Sequence, residues 1–190
     1  MTASDGLIAR PSSSLSARLH QLIDDVRVDD AADARARERW LRTAAEADAT
    51  LAGVLLDLGE RDAHVGIATV EGRRVLGTIE VVGADFIAVR TDAGHEVLLA
   101  IDAVASVRTA PSLDPAVGDR VMTTDLRLGD LLSELAAERA RVRLVLRDGG
   151  DVVAGELRSI GQDVVSVRAE SATGGTAYVP LAAVVEVGLG

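Results

Sequence analysis

The chain has no cysteine and no lysine, and aromatic residues are nearly absent: one Trp, one Tyr and one Phe among 190 residues. Without cysteine there are no disulfides, thiolate nucleophiles or cysteine-based metal sites. With only 2% aromatic residues, bases or sugars would find almost no stacking platform. No apolar run approaches the ~18 residues of a membrane-spanning helix. The segment Met1-Thr2-Ala3-Ser4-Asp5-Gly6 lacks a basic stretch followed by an apolar one. No secretory signal is therefore expected there, and the cytoplasm is the expected location. Every basic residue is Arg. Together with the Ala, Val and Gly content, that usage points to a GC-rich bacterial genome.

The formal net charge is −10, and it is spread along the chain. Residues 1–60, 61–110 and 111–190 carry −4, −2 and −4. No segment is a basic domain, so nucleic acid is repelled unless Arg residues cluster in space. The core must be built from Val, Leu, Ile and Ala, which make up most of the 48% hydrophobic content. Small β-branched side chains suit small barrels and sandwiches.

Residues 1–13 are expected to be a flexible tail, with Pro11, Ser12 and Ser13 leading into a helix cap at Ser14. Residues 14–59 are expected to be helical. Leu15, Leu19, Leu22 and Val26 recur at helical spacing, then the cluster Asp24, Asp25, Asp29 and Asp30 interrupts. A second helix is expected from Ala31 to Leu58, with Trp40, Ala44, Ala47, Leu51, Val54 and Leu58 forming an a/d seam and Gly59 closing it. That seam lies either on the rest of the chain or in a helical hairpin or coiled coil.

Past Gly59 the period changes from 3.6 to 2. Residues 60–108 read as short strands: Val75 to Val81, Phe86 to Arg90, Val97 to Leu99 and Val104 to Val107. Residues 109–127, with Pro111, Pro115 and Gly118, read as a linker. Residues 128–190 read as a short helix, about Gly129 to Ala140, followed by strands Val142–Leu146, Val153–Ser159, Val165–Ala169, Ala177–Val179 and Val184–Val187.

The two strand-rich segments match each other. Gly77, Gly83, Asp85, Val89 and Arg90 fall on Gly155, Gly161, Asp163, Val167 and Arg168 at one constant offset. Ile101, Val104 and Val107 fall on Leu181, Val184 and Val187 at a slightly longer one. The extra residues sit in the loop Ala172-Thr173-Gly174-Gly175, where insertions cost little. An internal duplication is the expected reading.

A helix followed by five short, bent strands resembles the Sm-like small β-barrel, the family of Sm proteins and the bacterial RNA chaperone Hfq. In that family a Gly in the second strand permits a sharp bend, a role that Gly77 and Gly155 match. The resemblance implies an α+β, mainly β fold: two five-stranded Sm-like barrels, each preceded by a helix, plus the N-terminal helical region. The PRC type of small barrel fits nearly as well. The family's RNA-contact residues are not matched. Asp85 and Asp163 lie eight positions after the bend glycines and lead into Phe86-Ile87-Ala88 and Val164-Val165-Ser166, with no Asn. The family's Arg-Gly pair is replaced by Glu96-Val97-Leu98-Leu99 and Tyr178-Val179-Pro180-Leu181.

Asp85 and Asp163 each follow Gly-x at a turn, where a carboxylate caps turn N–H groups or contributes to a binding site. Arg139, Arg141, Arg143 and Arg147 form the densest basic feature. They are either a solvated face offset by nearby acids or a patch for an acidic partner or phosphate backbone. His20, His64 and His95 show no metal spacing, and no nucleophile elbow, P-loop or dinucleotide fingerprint occurs. No cofactor, metal or enzymatic activity is expected. The expected function is a scaffold or interaction module of tandem barrels that oligomerises through edge strands, with itself or another protein as partner. RNA binding through the Arg residues is the alternative.

Overall fold

The structure is a computed structural model, and it describes residues 35, 37–44, 47–121, 124–170 and 174–189. The chain divides into two units, residues 1–44 and 45–190. In the first, residues 37–44 are helical and Trp40 is 68% exposed. The tail and the helix expected from Leu15 to Val26 lie outside the described residues.

The second unit opens with α1 (Leu51–Glu60). The long helix expected from Ala31 to Leu58 is not continuous. Thr50 is extended, with φ −116° and ψ 155°, and its hydroxyl accepts from Gly53 N at 3.0 Å, so a fresh helix starts there. Leu55 and Leu58 bury one face of α1. Thr50 N donates to the Gly118 carbonyl, and Leu113 and Ala116 pack on the same core. The expected linker is thus laid against α1. The later helix, α2 (Leu128–Ala137), buries Leu128, Leu132 and Ala136. No helix among the described residues is long and apolar enough to cross a membrane.

Ten strands form, nine of them close to the expected period-2 segments; the first was not among those expected. They are β1 (His64–Thr69), β2 (Arg74–Val82), β3 (Phe86–Thr91), β4 (Glu96–Ala100), β5 (Val104–Thr109), β6 (Arg141–Leu146), β7 (Val152–Ile160), β8 (Val164–Ala169), β9 (Thr176–Pro180) and β10 (Val184–Leu189). All pair antiparallel, in the order β5-β1-β2-β3-β4-β10-β6-β7-β8-β9. The expectation of two separate five-stranded barrels is therefore overturned: the strands form one open ten-stranded sheet. Each five-strand half keeps the same internal order, but β4 pairs with β10 of the other half.

The side chains explain the continuity. Alternate residues of a strand point to opposite faces. On β3 and β4, Ile87, Val89 and Leu99 enter a core with α1, β1 and β2. Phe86 and Leu98, one step out of phase, enter the core that holds α2, β6, β7 and β8. The first half thus supplies part of the second half's core, including the chain's only Phe, fully buried. Closed on its own, the first half would expose Phe86 and Leu98, and the second would lose them from its core.

Local geometry repeats between the halves. The β2–β3 register shifts between Ile79 and Val81, and the β7–β8 register between Leu157 and Ser159. Gly83 N donates to the Phe86 carbonyl at 2.8 Å and Gly161 N to the Val164 carbonyl at 2.7 Å. Asp62 and Arg139 both close their helices with positive φ, 49° and 54°. A Cβ on Gly77 would stand 2.0 Å from the Arg90 carbonyl oxygen, and one on Gly155 would stand 2.0 Å from that of Arg168. Both bends therefore require glycine.

Gly77→Ala and Gly155→Ala are each expected to cost about 3 kcal/mol, because backbone must move to admit the methyl group. Gly175→Ala meets nothing within 4 Å and is expected to stay within about 0.5 kcal/mol of wild type. Urea unfolding of the three variants checks this; equal midpoints would refute it.

Candidate functional site

The four Arg residues singled out from the sequence are not left uncompensated. Arg139 lies 4.0 Å from Glu156, Arg141 2.8 Å from Glu170, and Arg143 3.7 Å from Glu186. Arg147 pairs with Asp102 and donates to the Ala182 carbonyl at 3.1 Å. Arg141 and Arg143 project from the exposed positions of β6 into a groove of about 540 Å³, where they meet Arg73, Glu96, Glu170 and Glu186. The groove mixes both signs of charge and offers no continuous positive face to phosphates.

Arg143 instead belongs to a cluster that spans the β4–β10 pairing, the seam between the halves. Glu186 lies on β10, its side chain 4% exposed. Arg73, in the β1–β2 turn of the other half, grips it in bidentate fashion: Nε to Oε2 at 2.7 Å and Nη2 to Oε1 at 2.9 Å. The hydrogen bond to Glu186 raises the Arg73 pKa above its ordinary value, and burial opposes this in part.

Further contacts cross the seam. Arg147 reaches Asp102, and the Glu71 carboxylate accepts from Asp148 N at 2.9 Å and Gly149 N at 3.2 Å. Ala100, Ala103 and Val185 form a small apolar cluster there. Alternation alone reads Val184 to Val187 as an apolar strand and passes over Glu186. A single carboxylate inside that run was the available signal, because a charge at a buried strand position requires a partner.

Asp85 and Asp163 occupy matching places. The Asp85 carbonyl accepts from Ile101 N at 2.9 Å and the Asp163 carbonyl from Leu181 N at 2.7 Å. Their carboxylates differ in what they do. Asp85 Oδ1 accepts from Leu128 N at 2.7 Å, so the first half caps the helix of the second. Both line a cavity of about 500 Å³ together with Asp102, Ile101, Leu128 and Leu181. Its three carboxylates disfavour an anionic ligand. No three His, Cys, Asp or Glu side chains among the described residues are placed to hold a metal ion. Gly83 and Gly161 serve the adjoining turns; a Cβ on Gly83 would stand 2.2 Å from the Phe86 ring. His64 Nε2 lies 2.8 Å from Asp92 at the surface, and His95 borders the mixed-charge groove.

The sheet ends on two open strands, β5 and β9. Among the described residues neither has a second partner strand. Strand β9 (TAYVP) carries no charge and displays Tyr178, the chain's only Tyr, at 73% exposure. Strand β5 (VASVRT) carries one charge, Arg108. Long or uncharged edges of this kind are templates for further pairing. They also correspond to the strands of the seam. By place within each five-strand half, Val104–Thr109 of β5 falls on Val184–Leu189 of β10, and Glu96–Ala100 of β4 falls on Thr176–Pro180 of β9. No family model, no curated protein and no solved structure matches the chain.

Arg73→Ala is expected to cost about 3 kcal/mol, since it removes both hydrogen bonds from a buried carboxylate and leaves it only Arg143 at 3.7 Å. Glu186→Gln is expected to cost clearly less, because Arg73 is partly exposed and can turn to water. Urea unfolding measures both; a larger loss for Glu186→Gln would contradict the assignment of the burden to the carboxylate.

Proposed function

We propose that this chain is a non-enzymatic scaffold that assembles through the open edges of its sheet. The observation that supports this reading is the seam. The chain already pairs β4 with β10, and the unpaired β9 and β5 are the counterparts of those two strands. An internally duplicated unit with one seam satisfied and one unsatisfied has a self-complementary surface of head-to-tail type. The sequence resemblance to the Sm-like family, in which such edges pair between subunits, supports the same expectation. RNA binding is the weaker reading, because Arg139, Arg141, Arg143 and Arg147 each face a carboxylate or lie near one.

Ala105 gives a test that spares the fold. It is exposed on β5 and skipped by the β1–β5 register, as Val185 is skipped by the β6–β10 register. Val185 is fully buried in the seam. Ala105→Glu therefore leaves a single chain undisturbed but would bury an unpaired charge in a paired edge. Light scattering on the full chain at tens of micromolar is expected to give a multiple of 19.7 kDa. Ala105→Glu is expected to give the single-chain mass with an unchanged unfolding midpoint. A wild-type chain that stays at single-chain mass at every concentration would overturn the proposal.

A further inference from the structure

Edge assembly leaves its order open: β9 could pair with β9, β5 with β5, or β9 with β5. Resting on the assembly reading above, we infer that β9 of one copy pairs with β5 of the next in one register, and that Glu186 reserves β10 for β4 of its own chain. The partner is a second copy of this chain.

The register follows from the seam. There Glu186 stands opposite Leu99, Val187 opposite Leu98, and Gly188 opposite Val97. Carried to the open edges by the correspondence of β10 with β5 and of β4 with β9, these pairs become Ser106 with Val179, Val107 with Tyr178, and Arg108 with Ala177. Pro180 does not block the ladder. Its counterpart Ala100 lies just outside the paired stretch of β4, and a proline at the end of an edge strand costs no ladder bond.

The order follows from the seam too, since β9 and β5 are the counterparts of the two strands that pair there, and charge keeps β10 out of that pairing. Glu186 needs Arg73, which sits in the β1–β2 turn. The counterpart of Arg73 in the β6–β7 turn is Asp151. Thr69 N donates to the Arg73 carbonyl at 2.9 Å, and Leu146 N donates to the Asp151 carbonyl at 2.8 Å, so the two positions match in backbone terms. Setting β10 against a β9 edge would bury Glu186 beside Asp151, with the repulsion of like charges. Strand β5 has Ser106 at the Glu186 position and brings no buried charge, so it is the edge that a neighbouring β9 accepts. The chain thus distinguishes its internal seam from the one between copies by a single buried carboxylate, a repulsive device against the wrong pairing.

Asp163 fits the same scheme. At the internal seam Asp85 caps α2 through Leu128 N. At the seam between copies Asp163 would stand in the same relation to the first turn of α1 of the next chain.

The absence of cysteine makes a direct test possible. Directly opposed residues in an antiparallel pair have Cα atoms about 4.5–5.5 Å apart, within disulfide reach. Val107→Cys and Tyr178→Cys are prepared separately in the full chain, mixed and oxidised. The mixture is expected to yield a covalent dimer, and each variant alone is expected to stay uncross-linked. A dimer from Tyr178→Cys alone, or assembled wild type with no cross-link in the mixture, would overturn the inferred order while leaving assembly intact. Absence of assembly by light scattering would instead remove the reading on which the inference rests.

The role of the carboxylate is tested by a charge rescue. Ser106→Glu is expected to reduce the assembled fraction at least tenfold. Adding Asp151→Arg, which rebuilds the Arg73–Glu186 pairing between copies, is expected to restore it. Failure of the rescue, or undiminished assembly by Ser106→Glu, would overturn the role given to the carboxylate.

Discussion

Glu186 is a carboxylate placed where the interior of a sheet would normally hold valine, and Arg73 must come from the other half of the chain to meet it. That requirement ties the β1–β2 turn to β10 and sets the partner of β4. Once β4 and β10 are paired, the remaining features follow. The two halves become one sheet, Arg147 faces Asp102, Glu71 meets the β6–β7 turn, and Asp85 reaches the start of α2. The ion pair is not the main source of stability, since desolvation offsets much of the Coulomb attraction in buried pairs. Burial of Phe86 and Leu98 in the second half's core, with the backbone ladder, supplies the attraction at the seam. The charges supply the choice of partner.

The same device accounts for what the edges lack. A chain without lysine cannot use the commonest edge guard. Strand β9 has no charge at all, and β5 has one. Edges left this bare suit a chain whose edges are meant to pair. In the proposed assembly, discrimination between the two seams falls to a position inside the strand, Glu186 against Ser106.

Much of the secondary structure was legible in the sequence. Period-2 alternation placed nine of the ten strands within a residue or two, since one face of each is buried, and missed β1. Gly77 and Gly155 were legible as bends, because only a residue without Cβ tolerates a carbonyl at 2.0 Å. The single sheet was not legible. Which strand β4 pairs with depends on where Phe86 and Leu98 go, and alternation says only that they leave the face of Ile87 and Leu99. The break in the long helix from Ala31 was hidden because apolar spacing runs through Thr50, whose hydroxyl restarts the helix. The Arg cluster was legible as a face that acids could offset, but most of the acids that do so were not. Its partners Glu156, Glu170, Glu186 and Asp102 come from other strands and turns that are distant in sequence.

In the proposed assembly the open edges β5 and β9 complete for a neighbouring copy what β4 and β10 complete within the chain. Amide hydrogen exchange measured at low and high protein concentration tests it most directly. The outward-facing amides of β5 and β9 are expected to exchange freely when dilute and to become protected together as concentration rises, while those of β4 and β10 are protected throughout. Unprotected β5 and β9 amides at concentrations where the chain is assembled would contradict it.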